Sequence, residues 1–181
     1  MTTYFTSDLH LHHRKILEYC NRPFSNIKEM NAELIKRYNS VVGETDTVYF
    51  LGDFAFTKNV NDIIDILNQL KGNKHFICGN HDRIMLNSEI KKQFITFVES
   101  GIKEIVIDNQ TITLCHYPML SWNKSHYGSW NLFGHEHGNF KQYETNQQLD
   151  VGVDCWNYCP VSFEDIKNKL SKLPERTIKH H

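Results

Sequence analysis

Long hydrophobic runs are missing from this 181-residue sequence. A helix that spans a bilayer needs about 20 consecutive apolar residues, and no segment approaches that length. The first residues, Met1 to Phe5, also lack the basic stretch and the apolar segment of a secretory signal. We therefore expect a cytoplasmic protein that does not bind a membrane.

The sequence also lacks the features that divide a chain into several domains. It contains no internal repeat, no low-complexity stretch and no linker rich in Pro, Gly or Ser. Its length suits one domain with a sizeable core. We expect a single domain over residues 1–175 and a tail over residues 176–181. His180 and His181, whether native or the end of a purification tag, are expected to have no functional role.

An excess of charge of one sign is missing too. The formal net charge is −1 at pH 7, so no overall attraction to nucleic acid is expected, although bound metal cations would supply positive charge locally. The five cysteines are an odd, scattered set without a disulfide framework, which suits a reducing compartment. Cys155 and Cys159 are expected to be packing residues because no second pair completes a zinc site.

Short apolar strands alternate with amphipathic helices along the chain, which predicts an α/β fold. Helices are predicted at residues 26–42 and 61–70 and from Ser162 to Leu170, with Asn26 and Ser162 as caps. A hairpin is predicted around residues 108–110. Strands are predicted at residues 4–6, 47–51, 75–78, 105–107, 111–114, 131–133 and 149–151.

Residues suited to metal binding directly follow five of these strands. They are Asp8-Leu9-His10, Gly52-Asp53, Gly79-Asn80-His81-Asp82, His116 and Gly134-His135-Glu136-His137. Ligands of open α/β sheets bind beyond the carboxyl ends of the strands, so these groups are predicted to converge at one edge. Three motifs place a glycine before the ligand, where the chain must turn sharply and approach an ion closely. Each motif alone is common, but five in order predict a metal site.

This ordered set resembles the signature of the calcineurin-like metallophosphoesterases: D-x-H, G-D, G-N-H-[DE], H and G-H-x-H. The resemblance implies a four-layer αββα sandwich with two mixed sheets flanked by helices. It also implies a centre of two divalent metals. In that centre Asp8, His10 and His137 hold one metal. Asn80, His116 and His135 hold the other, and Asp53 bridges both.

The types of ligand in this set indicate which metals it would bind. Mixed carboxylate and imidazole ligands suit manganese foremost, with iron, zinc, nickel or magnesium as alternatives. Two such ions lower the pKa of a shared water and clamp phosphate oxygens. The resemblance therefore implies that a hydroxide between the metals attacks phosphorus.

Two residues of the third motif are predicted to serve catalysis without binding metal. The family places the histidine at the position of His81 near the leaving group, as a proton donor or charge stabiliser. An imidazole, whose ordinary pKa is about 6.5, can do this near neutrality. Asp82 either orients that ring or starts a helix.

Candidates for substrate contact come from two other segments. Trp122 and His126 lie in the aromatic segment 117–127, where rings either stack on a base or pack within a loop. Either one of His12, His13 and Arg14, with Arg14 as the candidate, reaches the phosphate, or all three form a solvated surface cluster. Asp154 either supports a metal ligand from behind or is structural.

The predicted function is a metal-dependent phosphodiesterase acting on nucleotides or nucleic acid ends, with no obligate protein partner. A phosphomonoesterase with the same centre is the alternative. A protein-binding module without activity is disfavoured because all the ligands and His81 are present. A protein serine/threonine phosphatase is disfavoured because Phe54-Ala55-Phe56-Thr57 follows Gly52-Asp53, where that branch carries an arginine.

Overall fold

A computed structural model describes residues 1–177 of the chain, so His180 and His181 lie outside the described residues. Within this part nine strands form two sheets. The strands are β1 (Thr3–Thr6), β2 (Thr47–Phe50), β3 (Asn73–Ile77), β4 (Thr96–Val98), β5 (Ile102–Ile107), β6 (Gln110–Cys115), β7 (Trp130–Phe133), β8 (Gln148–Asp150) and β9 (Val161–Ser162).

Both sheets are mixed. The first has the order β4-β3-β2-β1-β9 and is parallel except for β9. The second has the order β5-β6-β7-β8, with β5 and β6 antiparallel and the other pairs parallel. The β5–β6 hairpin turns at Asp108 and Asn109, both with positive φ, as two-residue turns of this kind require.

Five α-helices accompany the sheets in the described residues: α1 (Ile16–Tyr19), α2 (Ile27–Val41), α3 (Val60–Gln69), α4 (Ser88–Lys91) and α5 (Phe163–Leu170). Asn26 caps α2 by accepting the Lys28 and Glu29 amides, each at 3.0 Å. Ser162 caps α5 by accepting the Asp165 amide at 3.1 Å. The predicted caps are therefore confirmed. None of the described helices combines the length and the apolar content needed to cross a membrane.

Two apolar clusters hold these layers together. In one, α2 and α3 cover the first sheet through buried residues such as Leu34, Tyr38 and Ile63, which pack with Phe50 and Phe76. The other lies between the sheets and also receives the apolar face of α5. It contains Phe5, Leu51, Ile77, Ile112, Leu114, Leu132, Leu149, Phe163, Ile166 and Leu170. The predicted fold of two mixed sheets flanked by helices is confirmed.

The carboxyl ends of the two sheets meet at one edge. Ser7, just after β1, forms a parallel bridge with Gly152, just after β8. Its hydroxyl donates to the Leu51 carbonyl at 2.9 Å, and its carbonyl accepts the Val153 amide at 3.1 Å. These contacts join the segments that follow β1, β2 and β8.

Candidate metal centre

Three of the sequence-predicted ligands form one compact group at this edge. Asp8 and His10 follow β1, and His137 follows β7. Asp8 Oδ1 lies 3.8 Å from His10 Nε2 and 4.0 Å from His137 Nε2. One potential ligand atom from each residue lies within 4.8 Å of the others. This spacing suits three ligands around one ion.

Asp53 lies between this group and the remaining ligands. Its Oδ2 atom is 3.5 Å from His10 Nε2 and also 3.5 Å from His116 Nε2. His116 Nε2 in turn lies 2.9 Å from Asn80 Oδ1, and the His135 ring centroid lies 5.2 Å from that of His116. One carboxylate therefore faces two neighbouring groups of ligands.

Two buried polar atoms in the first group support a metal there. Asp8 Oδ1 and His10 Nε2 are shielded from solvent and form no hydrogen bond with any residue of the described chain. Buried polar atoms without partners are costly and uncommon. A divalent cation would satisfy both atoms, so the residues present fit such an ion.

The ligand rings are fixed from behind by hydrogen bonds. His116 Nδ1 lies 2.7 Å from the Leu51 carbonyl oxygen, and His137 Nδ1 lies 2.8 Å from Asp154 Oδ2. Both rings thus turn Nε2 towards the centre, as is typical of metal-binding histidines. The chain conformation is equally specific, because φ is positive at Asp8, His10, Asp53, His135 and His137. Such values are rare outside glycine and concentrate at functional sites.

Comparison with known proteins identifies this arrangement. The sequence profile of the calcineurin-like phosphoesterases matches residues 1–168. The chain belongs to this family. It is accordingly a metal-dependent phosphoester hydrolase.

Relatives of this phosphoesterase occur in an archaeon and in a bacteriophage. It is 37% identical to the uncharacterized protein MJ1445 of Methanocaldococcus jannaschii, over 93% of this chain and 91% of that protein. It is 27% identical to the gene 66 protein of Mycobacterium phage L5, over 98% of each chain. The crystal structure of AQ665 from Aquifex aeolicus, a protein of unknown function, superposes with a TM-score of 0.74 at 25% identity, covering 93% of this chain and 98% of that one.

Arg22 is a supporting residue of the phosphoesterase that sequence reasoning missed. Its Nε and Nη2 atoms each donate to a different oxygen of Asp154 at 2.8 Å. Nη1 donates to the Leu9 carbonyl at 2.9 Å, and Nη2 donates to the Asp8 carbonyl at 2.7 Å. The buried guanidinium therefore ties the Asp8 loop to the carboxylate that orients His137. Of the two interpretations of Asp154, the structure favours support of a ligand.

The Asp82 carboxylate holds two ligand loops together. It accepts the amides of Asp53 at 2.7 Å, Phe54 at 3.0 Å and Gly79 at 2.7 Å. Gly52, with a φ of +95°, lies so close to this junction that an added Cβ would come within 2.5 Å of the Gly79 nitrogen. Gly52 therefore allows the two ligand loops to pack closely, while the predicted approach of the chain to an ion stays a prediction. These contacts favour positioning as the role of Asp82.

The charges of the centre shift the pKa values of its histidines in opposite directions. Burial lowers the pKa of His10 well below its ordinary value. Burial also opposes the charged form of His116 and His137, but nearby carboxylates outweigh it. Asp53 and Asp8 raise the pKa of His116 to about 9. Hydrogen bonds with Asp154 and Cys20, together with the negative charge of Asp8, raise the pKa of His137 to about 10. Without metal, these two rings carry protons at neutral pH.

His81 lies at the exposed rim of the centre. Its backbone amide donates to Asp53 Oδ1 at 3.0 Å. Its ring centroid is 6.0 Å from that of His10 and 5.2 Å from that of Phe56. A half-buried neighbour, His13, places Nδ1 3.2 Å from His10 Nδ1 and stacks on Phe56. From the sequence, His13 is a candidate for phosphate contact or a member of a solvated surface cluster, and Phe56 is not singled out.

The three predicted substrate contacts lie in different surroundings. Trp122 is buried, donates from Nε1 to the Ser129 carbonyl, and has the Arg176 guanidinium 4.6 Å from its ring centroid. His126 is exposed, with its ring 4.1 Å from that of Tyr127. Arg14 is exposed and borders a cleft lined by Glu18 and Phe24.

An aromatic ring does stand beside the ligands, and it belongs to Tyr117. This ring is 4.7 Å from that of His135 and 5.2 Å from that of His116. Tyr117 follows His116 directly in the chain, so adjacency to a ligand was the signal that could have identified it.

Proposed function

We propose that the protein hydrolyses phosphodiesters of nucleotides or nucleic acid ends, with the seven predicted ligands holding two divalent ions, Mn²⁺ foremost. The observation that carries the metal assignment is the position of Asp53. Its Oδ2 atom is equidistant, at 3.5 Å, from one histidine of each group. Two-metal phosphoesterases need such a shared carboxylate because the ions must lie about 3.5 to 4 Å apart.

The charge around the centre supports a diester rather than a monoester. Arg22 is the cationic side chain placed directly behind the ligands, but it is buried and its donors are bonded to Asp154 and two backbone carbonyls. It is therefore occupied in positioning. A monoester near neutral pH carries up to two negative charges, whereas a phosphodiester carries one. The diester therefore needs less neutralisation by cationic side chains. Bound ions would meet that smaller charge and lower the pKa of a shared water.

The remaining steps fall to side chains of this protein. His81, at the rim, is placed to give a proton to the departing oxygen, and the bond from its amide to Asp53 fixes its position. Asp82 accepts amides of the loops that carry Asp53 and Asn80 and so holds the two loops together. Asp154 and Leu51 hold the His137 and His116 rings with Nε2 directed inward.

Matched substrates test this proposal. Metal-stripped protein is assayed on bis(p-nitrophenyl) phosphate and p-nitrophenyl phosphate, with and without Mn²⁺. We expect Mn²⁺-dependent hydrolysis that favours the diester. Asp53→Asn should abolish it, while Asp65→Asn, an exposed position on α3, should not. A preference for the monoester would establish the phosphomonoesterase alternative.

A further inference from the structure

A cavity of about 460 Å³ opens beside His81, within the size range of small-molecule sites. It is lined by residues of two short segments that each follow shortly after a proposed ligand: residues 55–58 after Asp53, and His81, Arg83 and Ile84 after Asn80. Among residues 1–177 its lining includes none of the seven proposed ligands. The cavity is therefore a neighbour of the metal centre and not a part of it.

One side of the cavity is apolar and is built around Phe56. This side chain is 46% exposed, so part of its aromatic surface is open to a ligand. The His13 ring stacks on it at 4.3 Å with an interplanar angle of 16°, and the His81 ring meets it at 63°. Ala55 and Ile84 extend the apolar lining. A flat ring system could stack there, because any nucleobase has a face that suits an aromatic side chain.

The other side of the cavity is cationic. Lys58 and Arg83 both line it, and both are exposed. Within the described chain neither forms an ion pair with a carboxylate. Asp62, on the same segment as Lys58, is bonded instead to Thr57 and Asn59. In a protein whose formal net charge is −1, two uncommitted cations facing one cavity indicate an anionic ligand.

We propose that this cavity receives the leaving group of the reaction and that its occupant is a nucleoside bearing a phosphate of its own. The proposal rests on the proposed diesterase function. It narrows the substrate to diesters whose leaving group is such a nucleoside. The base stacks on Phe56, and the second phosphate binds Lys58 and Arg83. Thymidine 5′-monophosphate, released with a free 3′-hydroxyl, is a product of this class.

The position of His81 connects the cavity with the chemistry. Hydroxide, formed when water releases a proton to solvent, makes the new bond to phosphorus. The bond from phosphorus to the departing oxygen breaks, and its electron pair stays on that oxygen. His81 supplies the proton that this oxygen takes up, so the departing nucleoside carries a free hydroxyl. Because His81 lines the cavity, the departing nucleoside leaves directly into it.

Calorimetric titration of the 181-residue chain loaded with Mn²⁺ tests the assignment. The probes are thymidine 5′-monophosphate, thymidine, which lacks a phosphate, and 3-hydroxypropyl phosphate, which lacks a base. We expect thymidine 5′-monophosphate to bind at least about tenfold more tightly than thymidine. The double variant Lys58→Ala with Arg83→Ala should lose that advantage. Lys172→Ala, an exposed lysine after α5, should retain it.

A second variant separates the base from the phosphate. Phe56→Leu keeps apolar bulk without an aromatic face, so it should lose the preference for thymidine 5′-monophosphate over the base-free phosphate. Equal affinities for thymidine 5′-monophosphate and thymidine, or an advantage that survives the double variant, would overturn the assignment of the cavity. These readouts concern binding alone. Failure to hydrolyse bis(p-nitrophenyl) phosphate would instead count against the diesterase function itself.

Discussion

The Asp154→Asn substitution tests the support behind the metal centre. Asp154 accepts two hydrogen bonds from the buried Arg22 guanidinium and lies 2.8 Å from His137 Nδ1. These partners hold the pKa of Asp154 below its ordinary value despite the opposing effect of burial. Asparagine has nearly the same shape but carries no charge, so the change removes the charge and leaves most of the packing.

The substitution is expected to lower both the free energy of unfolding and the metal affinity. Removing one partner of a buried ion pair costs about 3 to 5 kcal/mol, because the remaining charge is left uncompensated. Since the asparagine oxygen can still accept one bond from Arg22, we expect a fall of about 3 kcal/mol in the free energy of unfolding. His137 loses the carboxylate that fixes its ring, so metal affinity should fall about 10- to 100-fold.

Urea unfolding of the metal-stripped protein measures the first loss, and Mn²⁺ titration at a temperature where the variant stays folded measures the second. Glu89→Gln is the matched control, because Glu89 on α4 forms an exposed pair with Lys92 that should contribute nothing measurable. If Asp154→Asn had the stability and the Mn²⁺ affinity of the unaltered protein, the structural argument for this support would be refuted.

Three further predictions follow from the same contacts. His81→Ala should slow turnover of bis(p-nitrophenyl) phosphate at least about tenfold while keeping the Mn²⁺ stoichiometry, and an unchanged rate would remove His81 from the mechanism. Asp82→Ala leaves three backbone amides without their acceptor and should lower the free energy of unfolding by about 3 kcal/mol, measured by urea unfolding. Because the pKa values of about 9 and about 10 at His116 and His137 lie above pH 7.5, both rings are protonated in the metal-free protein. Metal binding at that pH should release about two protons per chain, and affinity should rise with pH, as calorimetry in buffers of different ionisation enthalpy would detect.

The metal centre can be predicted from the sequence because each ligand lies close in the chain to the strand that positions it. Each proposed ligand lies within a few residues of the end of a strand that a short apolar run identifies, as Asp8 does after β1 and His116 does after β6. Parallel neighbours then place those strand ends at the same edge. The helix caps Asn26 and Ser162 are also local signals, and both are confirmed.

Residues that act across long separations are not predictable in this way. Arg22 meets Asp154 across 132 positions of the chain, and nothing near either residue indicates the other. Asp82 accepts hydrogen bonds from amides up to 29 positions away. From the residues next to it in the chain, only a helix start or an effect on the His81 ring could be predicted. Two strands were missed for a related reason. β4 and β9 span three and two residues, too few for alternation to be recognised.

The boundary of the domain and the contacts of the substrate remain predictions. Arg176, the first residue of the predicted tail, lies against Trp122 and is 9% exposed. This contact gives the buried indole a structural partner. Phe56 and Tyr117, rather than Trp122, are the aromatic rings adjacent to the proposed ligands and to His81. They are the better targets for substitution when substrate binding is measured.

The central claim is that seven side chains hold two metal ions and that hydrolysis depends on both. Mn²⁺ titration of metal-stripped protein, with bound metal and the rate of bis(p-nitrophenyl) phosphate hydrolysis measured on the same samples, tests it most directly. The account predicts two bound ions per chain and a rate that reaches its maximum only as the second site fills. Full activity with one ion bound, or without added metal, would contradict it.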